Sequence, residues 1–217
     1  MVTIRELYDL SHSAAGQWLD RFTYPWEALS SIQPMILELG STLGSEYCQV
    51  SEGVWVHRTA KVASTAFLGA PCIIGANTDV RHGAFIRGSA LVGENCVVGN
   101  SVELKNVILF DNVQVPHYNY VGDSILGYRA HMGAGSVTSN VKSDKSLVVI
   151  HADPPISTGI KKVGAMLGDR VEIGCNSVLN PGTVIGRDSN VYPTSCVRGV
   201  IPANSIYKAQ GNVVKKI

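Results

Sequence analysis

Residues 56–104 read VHRTAKVASTAFLGAPCIIGANTDVRHGAFIRGSALVGENCVVGNSVEL. An aliphatic side chain returns at every sixth position of this stretch: Val56, Val62, Leu68, Ile74, Val80, Ile86, Val92, Val98 and Leu104. Four residues after each of these the side chain is small, at Ala60, Ala66, Cys72, Thr78, Ala84, Ala90 and Cys96, and Val102 closes the run. A helix repeats its apolar face about every 3.6 residues and a strand about every 2, so neither produces a period of six. Short strands that stack and turn a corner at fixed intervals do produce it, as in a β-helix solenoid. The ladder resumes at Leu167, Ile173, Leu179, Ile185, Val191 and Val197, with Ser177, Thr183, Ser189 and Ser195 at the small positions. The expected fold is all-β, a left-handed parallel β-helix of hexapeptide repeats. Gly69, Gly75, Gly93 and Gly99, each following a ladder residue, are its expected corners.

Working outward, residues 1–50 lack the ladder. Thr3 is placed to cap a helix through Leu10, Pro25-Trp26-Glu27 to start a second, and Pro34 through Leu43 to form a third ended by Gly44. These short helices are expected to cap the open end of the solenoid, where strand edges and core would otherwise be bare; docking of a partner is the alternative task. The β-helix domain is assigned to 51–217. A long loop at 139–166, with Asp153-Pro154-Pro155, Gly159 and Lys161-Lys162, interrupts it, and a tail begins at 201 and ends in solvated Lys215-Lys216. A gap of this length inside a compact domain marks a functional or mobile element.

The 217 residues are 45% apolar and 16% charged with a net charge of +1, enough for a packed core and for one large domain, or one domain with an extension. No Lys/Arg run follows a phosphate backbone, so a nucleic-acid partner is not expected. No stretch approaches the roughly 20 apolar residues of a membrane span. Met1 to Leu10 carries Arg5, Glu6 and Asp9 and lacks the apolar core of a signal peptide, so a cytoplasmic location is expected. The five cysteines include no CxxC pair. Cys72, Cys96, Cys175 and Cys196 fall within the ladder and read as small core or turn residues in a reducing compartment. No GxxxxGK loop and no strand-linked GxGxxG is present.

Three hexads make one triangular coil, so residues eighteen apart stack at about one strand spacing, roughly 4.8 Å. Arg87 and Lys105 are so related, and both follow a ladder residue and point outward. Two stacked cations repel unless an anion lies between them, which reads as a phosphate or carboxylate clamp. After Leu104 the ladder slips through Leu109, Val115, Val121, Leu126, Met132 and Val137. Inside this disturbed region lies Pro116-His117-Tyr118-Asn119-Tyr120-Val121-Gly122-Asp123. His117 is the best candidate general base, and Glu103 could orient its imidazole. A zinc site is not expected: His82 and His117 are widely spaced, and His131 is too far beyond His117 to complete a close pair.

The segments Gly99-Asn100-Ser101-Val102-Glu103-Leu104-Lys105, His117-Tyr118-Asn119-Tyr120-Val121-Gly122-Asp123 and Gly133-Ala134-Gly135-Ser136-Val137-Thr138-Ser139-Asn140 carry a resemblance. Over about residues 55–210 the chain resembles the acetyltransferase domain of bifunctional N-acetylglucosamine-1-phosphate uridylyltransferases and of archaeal-type sugar-1-phosphate nucleotidylyltransferases. The resemblance implies a left-handed β-helix, a homotrimer with active sites between subunits, and acetyl transfer from acetyl-CoA to the amine of an amino-sugar 1-phosphate, glucosamine 1-phosphate first. This step belongs to UDP-N-acetylglucosamine biosynthesis. By position, Arg87, Lys105 and Tyr120 match phosphate contacts, His117 the catalytic base and Glu103 its carboxylate partner. Asn140 matches a residue that holds the amino sugar. Lys145, with Lys142 a competitor, is nearest to the lysine that follows it. His131 stands where the family commonly has Asn among the sugar contacts. The backbone of Ala134 would meet the thioester carbonyl, and Cys175 replaces a Ser near the CoA. Pro193 and Lys208 are assigned to the same cofactor groove. The nucleotidylyltransferase domain, with its glycine-rich motif, has no counterpart in 1–50, so this chain is not expected to make a nucleotide sugar by itself. The loop bearing Lys161-Lys162 is longer than in the bacterial enzymes and closer to the archaeal type. The competing readings are a non-catalytic sugar-phosphate-binding solenoid and an acyltransferase acting on a nucleotide-linked amino sugar.

Overall fold

The computed structural model describes residues 2–216; Met1 and Ile217, the outermost residues of the expected extension and tail, lie outside the described residues. The ladder folds as read, into stacked parallel strands arranged on three faces. The first face runs Val54–His57, Cys72–Ile74 and Ala90–Val92, then the second half of Glu103–Leu109 and of Tyr120–Leu126. It continues through Ala165–Leu167 and Thr183–Ile185 to Val200–Ile201. The second face stacks Lys61–Val62, Asp79–Val80, Val97–Asn100, Gln114–His117, His131–Met132, Glu172–Ile173, Asn190–Val191 and Ser205–Ala209. The third stacks Phe67–Leu68, Phe85–Ile86, the first halves of Glu103–Leu109 and Tyr120–Leu126, Val137–Thr138, Val178–Leu179 and Cys196–Val197. Ladder side chains such as Val80, Ile86, Val98, Leu104 and Leu179 point inward and are fully buried.

The corners explain two sequence features. A Cβ on Gly99 would lie 1.6 Å from the Pro116 carbonyl oxygen, so the close approach of the next coil demands glycine there. The ladder's steps of five mark a shortened coil: Lys61 pairs with Asp79, eighteen residues on, but Asn100 pairs with His117 and Glu103 with Tyr120, seventeen on.

The extension departs from expectation. Thr3 and Glu6 do form a capping box, but the first helix is only Ile4–Leu7. Pro25–Ser31 is a 3₁₀ turn continuous with the helix Ile32–Thr42, in whose first turn Pro34 removes no helical hydrogen bond. The helices of the extension do not cover the end of the solenoid; they lie along the first face. The His12 carbonyl accepts from the Asp111 N–H, the Asp9 N–H donates to Asp169, and Tyr8 packs on Phe110 with ring centroids 5.1 Å apart. The physical reason is that strands of this face are apolar on both sides: Ile73, Leu91, Ile108, Ile125 and Met166 point away from the solenoid axis and are buried all the same. At the two ends, antiparallel strands pair instead, Tyr47–Ser51 with Val54–His57 and Asn212–Lys215 with Ser205–Ala209.

The segment from 201, read as a tail, carries the last coil and this terminal hairpin, and Lys216 donates to the Asp188 carbonyl at 2.6 Å rather than standing free in solvent. The 139–166 insertion is organised by an antiparallel pair, Val149–Ile150 with Ile156–Ser157, and buries Val148, Ile150 and Val163. Cys72 and Cys96 are core residues whose thiols burial pushes up to about 12, whereas Cys175 and Cys196 reach solvent. Among the described residues no helix is long and apolar enough to cross a membrane.

Candidate functional site

The third face carries two groups of candidate residues, one spread from Glu103 and Tyr120 to its junction with the first face and one at its edge with the second. At its junction with the first face, Arg87 pairs with the backbone of Leu104 one coil on, which sets it beside Lys105. Each cation has its own carboxylate. Arg87 Nη1 donates to Glu103 Oε1 at 2.8 Å, and Lys105 Nζ lies 3.0 and 3.2 Å from the two oxygens of Asp123. The Glu103 contact raises the Arg87 guanidinium further above its already basic range. Tyr120 stands beside Glu103 in the strand register, and its hydroxyl accepts from Asn140 Nδ2 at 3.2 Å. Partial burial, then the nearby Asp123 charge, pushes the Tyr120 phenol above its ordinary value. Arg87, Glu103, Lys105, Tyr120 and Asn140 therefore form one connected cluster.

Asp123 is its centre and was not singled out from sequence. It is 3% exposed, sits in the left-handed region at φ 48°, and accepts from Lys105, Asn106 and Asn140. The available signal was the slip to a seventeen-residue coil, which puts Asp123 level with Asn106 rather than with Lys105.

At the opposite edge, where the second face meets the third, the register builds a column. His117 pairs with Asn100; the Gly135 N–H then donates to the His117 carbonyl, the Asn176 N–H to Ala134, and the Thr194 N–H to Cys175. His117, Ala134, Cys175 and Pro193 thus stack in successive coils, about 4.8 Å apart. Lys208 follows on the next strand, in the residue after Tyr207, which pairs with Val191. His117 is exposed, and its ring makes no hydrogen bond among the described residues. The Ala134 N–H likewise has no partner among them.

Three assigned residues have other partners or positions within the chain. Within the chain Glu103 Oε1 accepts from Arg87 Nη1, and no hydrogen bond joins Glu103 to His117, which ends a strand of the second face. His131 is on the second face, away from the cluster, with Nδ1 2.7 Å from Glu172. Lys145 is exposed in the insertion at φ 55° and does not reach the cluster; Lys142 bonds Ser146 at 2.6 Å. The histidines do not converge: His82 Nδ1 is held by Thr65 Oγ1 at 2.7 Å, and among the described residues no three His, Cys, Asp or Glu side chains are placed to share a metal ion.

Comparison with known proteins agrees with the resemblance. A family model described as the GMPPB C-terminal domain matches residues 80–210. The bifunctional protein GlmU of Methanococcus maripaludis is 32% identical over 117 residues, 54% of this chain and 28% of its own length. That of Trichormus variabilis is 36% identical over 179 residues, 82% of this chain and 32% of its own length. The chain thus spans about a third of the length of these curated relatives. Among solved structures, PerB from Caulobacter crescentus in complex with CoA and GDP-perosamine is 18% identical with a TM-score of 0.37, over 70% of this chain and 51% of that one. With more than half of its residues, and both candidate edges, inside the matched region, the chain belongs to the GMPPB C-terminal domain family of hexapeptide β-helix proteins.

Proposed function

We propose that the chain is an acetyl-CoA-dependent N-acetyltransferase acting on an amino-sugar 1-phosphate, glucosamine 1-phosphate first, a step toward UDP-N-acetylglucosamine. The observation that carries this is the pair of features on the third face: a cationic, hydroxyl- and amide-bearing cluster across it, and an unpaired imidazole stacked on an unpaired backbone donor at its edge with the second face. Arg87, Lys105 and Tyr120 hold the phosphate, and the acetyl-CoA thioester lies along the column of Ala134, Cys175 and Pro193. The sugar amine attacks the thioester carbonyl and His117 removes the amine proton. Negative charge developing on the carbonyl oxygen is met by the Ala134 N–H. The C–S bond then breaks, and the proton passes from His117 to the departing sulfur, giving the N-acetyl sugar phosphate and CoA thiol.

The two edges act together between neighbouring chains. The third face exposes Phe67 and Phe85, with ring centroids 5.5 Å apart, and Val178, large apolar side chains that a second copy of this chain would cover. A closed homotrimer sets the cluster edge of one subunit against the column edge of the next. An acceptor screen over amino-sugar 1-phosphates and nucleotide-linked amino sugars, read by release of free CoA thiol, tests the reading. Turnover restricted to the 1-phosphates supports it. Turnover only with nucleotide-linked sugars moves the acceptor, and sugar-phosphate binding without any affinity for CoA leaves a non-catalytic binder.

A further inference from the structure

Resting on the acceptor reading above, we propose that Asp123 is the positioning residue of the acceptor half-site, and that through it the helical extension is built into that site. A carboxylate this deeply buried is unfavourable unless its oxygens are fully compensated, and here three side chains converge on it. Lys105 Nζ approaches both oxygens, Asn106 Nδ2 donates to Oδ1 at 2.9 Å and Asn140 Nδ2 to Oδ2.

The consequences for a ligand follow from donor counting. An ammonium carries three N–H groups on a flexible stem. With two directed at Asp123, Lys105 keeps one for an incoming phosphate oxygen, at a fixed place. Asn140 directs its amide nitrogen inward, to Asp123 and to the Tyr120 hydroxyl. Its carbonyl oxygen, which accepts no hydrogen bond among the described residues, is thereby the atom presented to the acceptor. Asp123 thus sets which end of the Asn140 amide faces outward: an acceptor of N–H and O–H, suited to an amino sugar.

The network reaches two further segments. Asn106 Nδ2 also donates to the Leu29 carbonyl in the extension, at 3.1 Å. The Asp123 carbonyl accepts from the Gly164 N–H, where the insertion returns to the solenoid, at 2.8 Å. The extension is therefore three hydrogen bonds from the Lys105 ammonium, through Asn106 and Asp123.

Two variants test this without altering backbone conformation. Asp123 has φ 48° and Asn106 φ 55°; asparagine tolerates the first, and glycine the second. Asp123→Asn is expected to raise KM for glucosamine 1-phosphate about 10- to 100-fold and leave KM for acetyl-CoA unchanged. Asn106→Gly, which removes both the Leu29 link and one of the three donors to Asp123 while leaving Lys105 and Asn140 in place, is expected to raise the same KM by a smaller factor. A substrate-free readout runs beside the kinetics: the side-chain amide resonances of Asn106 and Asn140 in ¹H–¹⁵N NMR should shift, and exchange faster with water, in Asp123→Asn. Unmoved amides, or both KM values rising together, overturn the proposal. Absence of acetyl transfer by the unmodified protein would overturn the acceptor reading instead, and the amide resonances decide the role of Asp123 apart from it.

Discussion

Glu103 shows how a residue's neighbours in sequence and in space can assign it different work. Its place fourteen residues before His117 invites an orienting role, yet within the chain its Oε1 accepts from Arg87. Glu103→Gln is therefore expected to raise KM for the sugar phosphate several-fold, by loosening Arg87, and to leave the pH profile of kcat unmoved. A loss confined to kcat would return Glu103 to His117. His117→Ala is expected to lower kcat by about 10²–10⁴-fold, the range of general-base catalysis. The melting temperature should not change, because the ring is exposed and makes no hydrogen bond among the described residues. Arg87 and Lys105 were legible because both lie in the regular eighteen-residue part of the ladder. Asp123 was not, because its donors come from Lys105 and Asn106 and from Asn140 beyond the slip, and Asn106 in turn donates to the distant Leu29 carbonyl. No spacing rule joins such distant segments.

At the level of strands and turns, the ladder predicts inward side chains well and outward ones poorly. The triplets Cys72-Ile73-Ile74, Ala90-Leu91-Val92 and Ala165-Met166-Leu167 are apolar throughout, the pattern of parallel strands covered on both sides. That pattern locates the extension on the first face, and reading only every sixth residue hides it. The corner glycines were legible, and their necessity is testable. Gly99→Ala places a Cβ against the Pro116 carbonyl and is expected to destabilise by about 1–3 kcal/mol or more, seen as a lowered melting temperature. Stacked charges tie successive coils as well. Arg170 donates to both oxygens of Asp188, at 2.6 and 2.9 Å, and holds that carboxyl below its ordinary range. A carboxylate depressed in the folded state stabilises above its unfolded pKa of about 3.9 and loses that stabilisation as pH falls through the folded value. Both groups are partly exposed, so Asp188→Asn should lower stability near pH 7 by no more than about 1 kcal/mol, with the difference from the parent shrinking in strong acid.

For the whole molecule, the two edges of the third face make a joint claim about catalysis and assembly. Replacing Phe85 with Asp puts a charge in the exposed aromatic pair, and sedimentation should then show smaller species with acetyl transfer lost alongside. The solenoid itself could be read from the period of six; a meeting of two chains on this face was implied only by the resemblance, since a ladder repeats identically whether or not a neighbour covers it. Subunit complementation tests the claim most directly. His117→Ala and Lys105→Ala, each inactive alone, are unfolded together, refolded as a mixture and assayed for CoA release from acetyl-CoA and glucosamine 1-phosphate. If each site takes its cluster from one chain and its imidazole from the next, about a quarter of the sites in a random mixture are intact and activity returns to about that level. A mixture as inactive as its two components, under conditions where refolded parent protein regains activity, contradicts the account.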